Sequence, residues 1–127
     1  MNCPCGNNKA YQECCQIAHK LIANVKTAEQ LMRSRYTAFT MGDGNYLMKS
    51  HHFTTRPTQE KENMVKWSKS VNWMGLEILN KTKGLHKDGE GTVEFKAHFL
   101  ENGMPQVIHE NSKFIKEKGL WMYLDIL

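Results

Sequence analysis

TVEFKAHFL, residues 92–100, places Val93, Phe95, Ala97 and Phe99 at every second position, with Glu94, Lys96 and His98 between them. A two-residue period sends side chains alternately to opposite faces of a pleated strand, so this segment reads as a strand with one buried face. On its N-terminal side, Trp73 to Thr82 repeats the period, with Met74, Leu76 and Ile78 on one face. On its C-terminal side, Gln106 to Lys116 and Leu120 to Ile126 supply a third and a fourth strand. Asn102-Gly103 and Lys118-Gly119 mark the tight turns. Four consecutive strands with short turns predict an antiparallel meander.

Before Asn72 the period lengthens. Thr27-Ala-Glu-Gln30 has the pattern of a capping box, and Ala28, Leu31, Met32, Tyr36 and Phe39 follow at helical spacing through Met41. Gly42-Asp43-Gly44 supplies the stop. Asn45 to His51 predicts a short helix and Phe53 to Pro57 an extended link. Gln59 to Val71 predicts an amphipathic helix with Met64, Trp67 and Ser68 on one face. Helices followed by strands predict an α+β fold, the helices covering one face of a four-stranded antiparallel sheet. A length of 127 residues suits one such domain with a small appendage.

That appendage is where the cysteines lie. Cys3, Cys5, Cys14 and Cys15 all fall within MNCPCGNNKAYQECC, residues 1–15, and the other 112 positions hold none. Two close pairs separated by a turn-rich loop suit the tetrahedral coordination of a structural zinc ion. Pro4 restricts the backbone between the first two thiols, and Gly6 can take a positive φ just after them. Disulfides fit less well, because a Cys14–Cys15 bridge would close a strained ring and the chain carries no export signature. A redox pair would need a different spacing. His19, four residues beyond Cys15, is an alternative fourth ligand; four thiolates are the simpler set. So short a segment cannot bury enough apolar area to fold without the metal. With every coordination position filled by protein, no site remains to activate water, so the zinc is expected to be structural.

The run Cys3-Pro4-Cys5-Gly6 through Tyr11 to Cys14-Cys15 resembles the SEC-C motif, similar to the module at the C-terminal tail of the bacterial preprotein translocase SecA, where it binds zinc and helps to dock a secretion chaperone. Residues Leu31 to Phe39, Asn45-Tyr-Leu47, His52 with Thr55-Arg56, His109 to Phe114 and Gly119 to Asp125 resemble the matching segments of the bacterial YchJ-like family, which has no assigned biochemical activity. The resemblance implies a zinc module, residues 1–22, joined through Lys20 to Lys26 to a cone-shaped domain similar to nuclear transport factor 2, residues 27–127. Two departures stand out. Asn7 occupies a position where serine is common, and a second cysteine motif carried by many relatives is absent from these residues.

Composition narrows the function classes. The longest apolar stretches fall far short of a membrane helix, and the start of the chain lacks a basic stretch followed by an apolar one, which together predict a cytoplasmic protein. A net charge of +4 comes from seventeen basic residues, of which three are arginines, against thirteen carboxylates. That balance describes a solvated lysine coat; nucleic-acid binding would have to use the zinc knuckle with Arg33 and Arg35. A curved sheet over helices leaves a pocket at its open end, and His52, Trp67, Trp73, His109 and Glu110 are its candidate lining. No nucleophile elbow, phosphate-binding glycine loop or H-E-x-x-H sequence is present, so no catalytic residue is assigned. The expected function is a zinc-dependent protein-interaction module with Lys9, Tyr11 and Gln12 as exposed contacts; the alternatives are a small-molecule or enzymatic pocket in the cone, and a nucleic-acid binder.

Overall fold

The computed structural model describes residues 2–127, and the change of period along the sequence becomes a change from helix to strand at Asn72. The helices are α1 (Cys15–Lys20), α2 (Ala28–Met41), α3 (Gly44–Lys49) and α4 (Lys61–Ser70). The strands are β1 (Asn72–Lys83), β2 (Glu90–Glu101), β3 (Met104–Glu117) and β4 (Leu120–Ile126), antiparallel in the order β1-β2-β3-β4. Single 3-10 turns occupy Tyr11–Glu13, Ile22–Asn24 and Thr58–Glu60. Among the described residues, no helix is long and apolar enough to cross a membrane.

Helix α2 is the strut of the fold, and its ends follow from its sequence. The Thr27 hydroxyl accepts from the Gln30 amide at 3.0 Å, while the Gln30 side chain accepts from the Lys26 amide at 2.8 Å. At the other end, Gly42 takes φ +67°, its amide donates to the Phe39 carbonyl and the Asp43 amide donates to that of Ala38. This is the six-to-one and five-to-two closure that a left-handed glycine permits. The buried face of α2, with Leu31, Met32 and Tyr36, packs on Val93, Phe95 and Ala97 of β2 and on Phe114 and Trp121 beyond. Burying each such large side chain contributes about 1.5–3 kcal/mol.

Both expected two-residue turns form. Asn102 and Gly103 have φ values of 53° and 78°, and Lys118 and Gly119 have 52° and 81°, the paired positive values of a hairpin whose twist matches its strands. In β1 the simple alternation fails. Trp73 pairs with Phe99 and Gly75 with His98, so Met74 is an extra residue; a second bulge leaves Leu79 unpaired in the same way. The first bulge puts Trp73 and Leu76 on the same inner face and turns Met74 out, 62% exposed, where strict alternation had placed Met74 inside.

The segment after α3 closes the free edge of β4. The Tyr123 amide donates to the Ser50 carbonyl and the His52 amide to the Tyr123 carbonyl, both at 2.8 Å, in a short parallel bridge. Neighbouring residues in such an extended segment point to opposite sides. His51 therefore stacks edge-on against the Tyr123 ring inside the cone, at 4.8 Å between centroids, and His52 turns away.

Candidate functional site

Residues 2–15 fold back on themselves ahead of the cone. Asn2 bridges to Ala10, and the Cys3 amide donates to the Lys9 carbonyl at 2.7 Å. The Gly6 amide donates to the Cys3 carbonyl, closing a turn that needs φ +95° at Gly6 and so favours glycine. Across the loop, Tyr11–Glu13 form a 3-10 turn that ends at Cys14 in an uncommon backbone conformation, φ −131° and ψ −110°. That kink lets two sequence-adjacent thiols face the same centre while Cys15 begins α1.

The result is a cluster. The sulfurs of Cys3, Cys5, Cys14 and Cys15 all lie within 4.8 Å of one another, with Cys5 and Cys14 at 3.6 Å, in an arrangement suited to a metal ion. All four thiols are free; Cys3, Cys5 and Cys15 are buried and Cys14 is half-buried. The surroundings supply hydrogen bonds to sulfur. Thr37 of α2 donates to Cys15 Sγ at 3.3 Å and lies 3.7 Å from Cys3 Sγ, and Asn7 Nδ2 donates to Cys14 Sγ at 3.5 Å. Arg33 Nη1 donates to the Cys5 carbonyl at 2.6 Å, and its Nε is held by Glu29 at 2.8 Å. Crowding makes the thiols unequal as acids. The hydrogen bond from Cys15 holds Cys5 down to about 5 against the effect of its burial. The same bond, joined by burial, pushes Cys15 up.

His19 is engaged elsewhere. Its Nε2 meets the Ser34 carbonyl and its Nδ1 the Tyr11 hydroxyl, both at 2.8 Å. A carbonyl can only accept, so Nε2 carries the proton and Nδ1 takes the Tyr11 hydrogen. Tyr11 is thereby a half-buried joint between the module and α2, whereas Lys9 and Gln12 are exposed. Arg35 is buried, donating to the Leu47 carbonyl at 2.9 Å and Ser50 Oγ at 2.7 Å, so it offers no guanidinium to a phosphate; Arg33 is similarly occupied.

A second feature lies inside the cone. Two adjoining cavities, about 210 and 150 Å³, share Met32, Phe39, Phe95 and Glu110 as lining. Arg35, His51, Met64 and Tyr123 complete the first lobe, and Trp67, Trp73 and Tyr36 are prominent in the second. The indole N–H groups are satisfied, Trp67 by Glu101 and Trp73 by the Ser68 carbonyl, each at 3.0 Å. Of the five residues expected here, the structure brings together Trp67, Trp73 and Glu110. Register explains the other two. Glu110 pairs with inward-facing Phe95, whereas His109 pairs with Lys96 on the outer face and binds Glu94 at 2.8 Å. His52 binds Glu117 at 3.0 Å and Thr54 at 2.7 Å, outside the cleft.

A family model described as the YchJ middle NTF2-like domain matches residues 27–126. The chain belongs to the YchJ-like family. A UPF0225 protein of Vibrio parahaemolyticus is 44% identical over 98% of this chain and 73% of its own length. The solution structure of a SEC-C motif containing protein from Rhodopseudomonas palustris is 32% identical with a TM-score of 0.85, covering 100% of this chain and 98% of that one. The crystal structure of a SEC-C motif containing protein from Psychrobacter arcticus is 33% identical with a TM-score of 0.81, covering 97% and 80%. These likenesses extend through the cysteine segment that precedes the family-model match.

In this YchJ-like cone, the lining residue missed from the sequence is His51. Which member of the His51-His52 pair faces inward depends on pairing to β4, a contact across some 70 residues of chain with no local signal. Burial, then the charges of Arg35 and Arg56, lowers the His51 imidazole to about 4. Since an unfolded histidine titrates near ~6.5, the unfolded chain takes up this proton first, and stability is expected to fall as pH drops from about 6.5 toward 4. By pH ~5 this site contributes a loss of about 2 kcal/mol. His51→Gln, whose amide can keep the hydrogen bond to Thr55, is expected to remove that part of the acid sensitivity. Thermal midpoints of both proteins at neutral and acid pH check it; an identical acid drop in the two would exclude the assignment.

Proposed function

We propose that this YchJ-like chain is a zinc-dependent protein-interaction module of the cytoplasm, with the NTF2-like cone as its scaffold. The convergence of four thiol sulfurs within 4.8 Å supports this most directly. A Zn–S length of about 2.3 Å implies sulfurs about 3.8 Å apart in a regular tetrahedron. The 3.6 Å between Cys5 and Cys14 sits beside that value, so the donors fit with small adjustments. An all-sulfur donor set favours zinc over calcium or magnesium, and a reducing compartment keeps it available. When bound, zinc would supply cross-linking of the knuckle and no activated water, because Cys3, Cys5, Cys14 and Cys15 fill its coordination sphere. Thr37 and Asn7 would orient the sulfurs and offset part of their charge.

The interaction reading is supported by the surface next to the cluster. A cavity of about 400 Å³ lies between the knuckle and α2, with Lys9, Glu13, Cys14, Glu29 and Arg33 among its walls. Mixed charges around a rigid concavity suit a polar peptide segment. Protein purified without tags or added metal is expected to carry one zinc per chain by elemental analysis, and none after Cys3→Ser with Cys5→Ser. Lys9→Glu is expected to retain zinc yet weaken capture of a partner identified by cross-linking. Undiminished capture by metal-free protein would refute the interaction reading, and the absence of stoichiometric zinc would refute the metal assignment.

A further inference from the structure

The inner face of β3 reads Ile108, Glu110, Ser112, Phe114, a carboxylate set in an otherwise inward-packing strand face. Among the described residues, Glu110 makes no hydrogen bond or ion pair with another side chain, and burial raises its carboxyl above the usual value. The nearby cation is otherwise engaged. Arg35, which lines the same lobe, donates to the Leu47 carbonyl and Ser50 Oγ and lies over the Tyr123 ring, 4.7 Å from its centroid. A second polar group is also unsatisfied. His51 lines the same lobe, is 7% exposed, and its Nδ1 has no partner. Thr55 gives its hydroxyl proton to the Leu124 carbonyl at 2.6 Å and so accepts from His51 Nε2 at 3.1 Å. Nδ1 is consequently a bare acceptor.

Two acceptors without donors therefore meet an aromatic chamber. The lobe beyond Glu110 has walls of Tyr36, Phe39, Trp67, Trp73 and Phe95 and a volume of about 150 Å³, the size that holds one benzene ring. Trp67 and Trp73 pack edge to face at 5.5 Å and so wall the space without filling it. Aromatic walls suit an aromatic ring by edge-to-face packing, and a carboxylate at the junction supplies the charge that matches a cationic group attached to it.

We propose that the cone cleft is a binding site for a small arylalkyl primary ammonium ion, its ring in the aromatic lobe and its N–H groups shared between Glu110 and His51 Nδ1. A primary ammonium brings three donors and no acceptor, which answers both unsatisfied groups; a carboxylate ligand would face Glu110 and the His51 lone pair and be repelled. The proposal is independent of the metal centre. Its test is a titration of the 127-residue chain with benzylammonium, benzyl alcohol and benzoate at slightly alkaline pH, read from the Trp67 and Trp73 indole NMR signals. Benzylammonium is expected to bind about tenfold or more tightly than the alcohol, with benzoate weakest. Glu110→Gln is expected to erase the preference for the cation over the alcohol. Benzoate binding as tightly as benzylammonium, a cation preference that survives Glu110→Gln, or no shift of either indole with any probe would each overturn the proposal.

Discussion

Removal of the proposed zinc by a strong chelator, or Cys15→Ser, is expected to unfold the knuckle completely and to lower the thermal midpoint of the remaining cone by roughly 10 °C, equivalent to about 1–3 kcal/mol. The first effect follows from what the knuckle has inside it. Its buried cluster consists of Cys3, Cys5 and Cys15, with Tyr11 and Cys14 packed alongside. Sulfur is thus nearly all the core it has, and without a cation the crowded thiols compete for one charge. Structural zinc in comparable peptides contributes on the order of 10–16 kcal/mol of apparent binding free energy at neutral pH, which is folding free energy for a segment this small.

The second effect follows from how the knuckle is bolted to α2. Thr37, fully buried, gives its hydroxyl to Cys15; Arg33 reaches the Cys5 carbonyl; His19 links Tyr11 to the Ser34 carbonyl; and Ala18 belongs to the main core. Losing the knuckle removes these bonds from α2 and exposes the apolar patch beneath α1 to water, at about 25 cal/mol for each Å² of apolar surface uncovered. Far-ultraviolet circular dichroism during chelation should show a cone that persists with a reduced midpoint, and restored zinc should recover it. A midpoint indifferent to chelator would mean that the thiols do not hold the module together.

The legible parts of this molecule are those whose cause is local. The period of residues 92–100, the two hairpin glycines, the cap at Thr27 and the stop at Gly42 each report a backbone preference within a few residues, and helix α2 and the β2–β3–β4 meander follow from them. The cysteine spacing was equally readable, since four thiols separated by turn residues have few ways to avoid one another. The illegible parts depend on partners distant in sequence. Met74 reads as an inward residue until the bulge opposite Phe99 and His98 turns it out. His52 carries the resemblance to the family, yet the bridge to Tyr123 assigns the inward position to His51. His109 and Glu110 were separable into opposite faces from alternation alone, but which of them faced the cleft needed the register with Phe95.

Trp121→Ala is expected to destabilise the cone by about 3–5 kcal/mol without releasing the zinc proposed for the thiols. Trp121 is fully buried on β4 and belongs to the core cluster that includes Leu31, Val93 and Phe114. It also ties the joint between knuckle and cone, because its Nε1 donates to the Lys26 carbonyl at 3.1 Å, immediately before the cap of α2. Truncation removes a large apolar body, leaves a cavity beneath Ile22 and Val25, and takes the donor from that carbonyl. Trp121→Phe separates these contributions: it keeps most of the apolar volume and loses the hydrogen bond, for an expected cost of about 1–2 kcal/mol. The four thiols draw their hydrogen bonds from Thr37 and Asn7 and none from Trp121, so the content of the proposed metal should be the same in both variants as in the parent. Urea unfolding with zinc analysis on the same samples checks both halves. A Trp121→Ala midpoint within about 1 kcal/mol of the parent would show that the sheet repacks around the joint, and loss of zinc would show that β4 supports the knuckle through the linker as well as α2 does through Thr37.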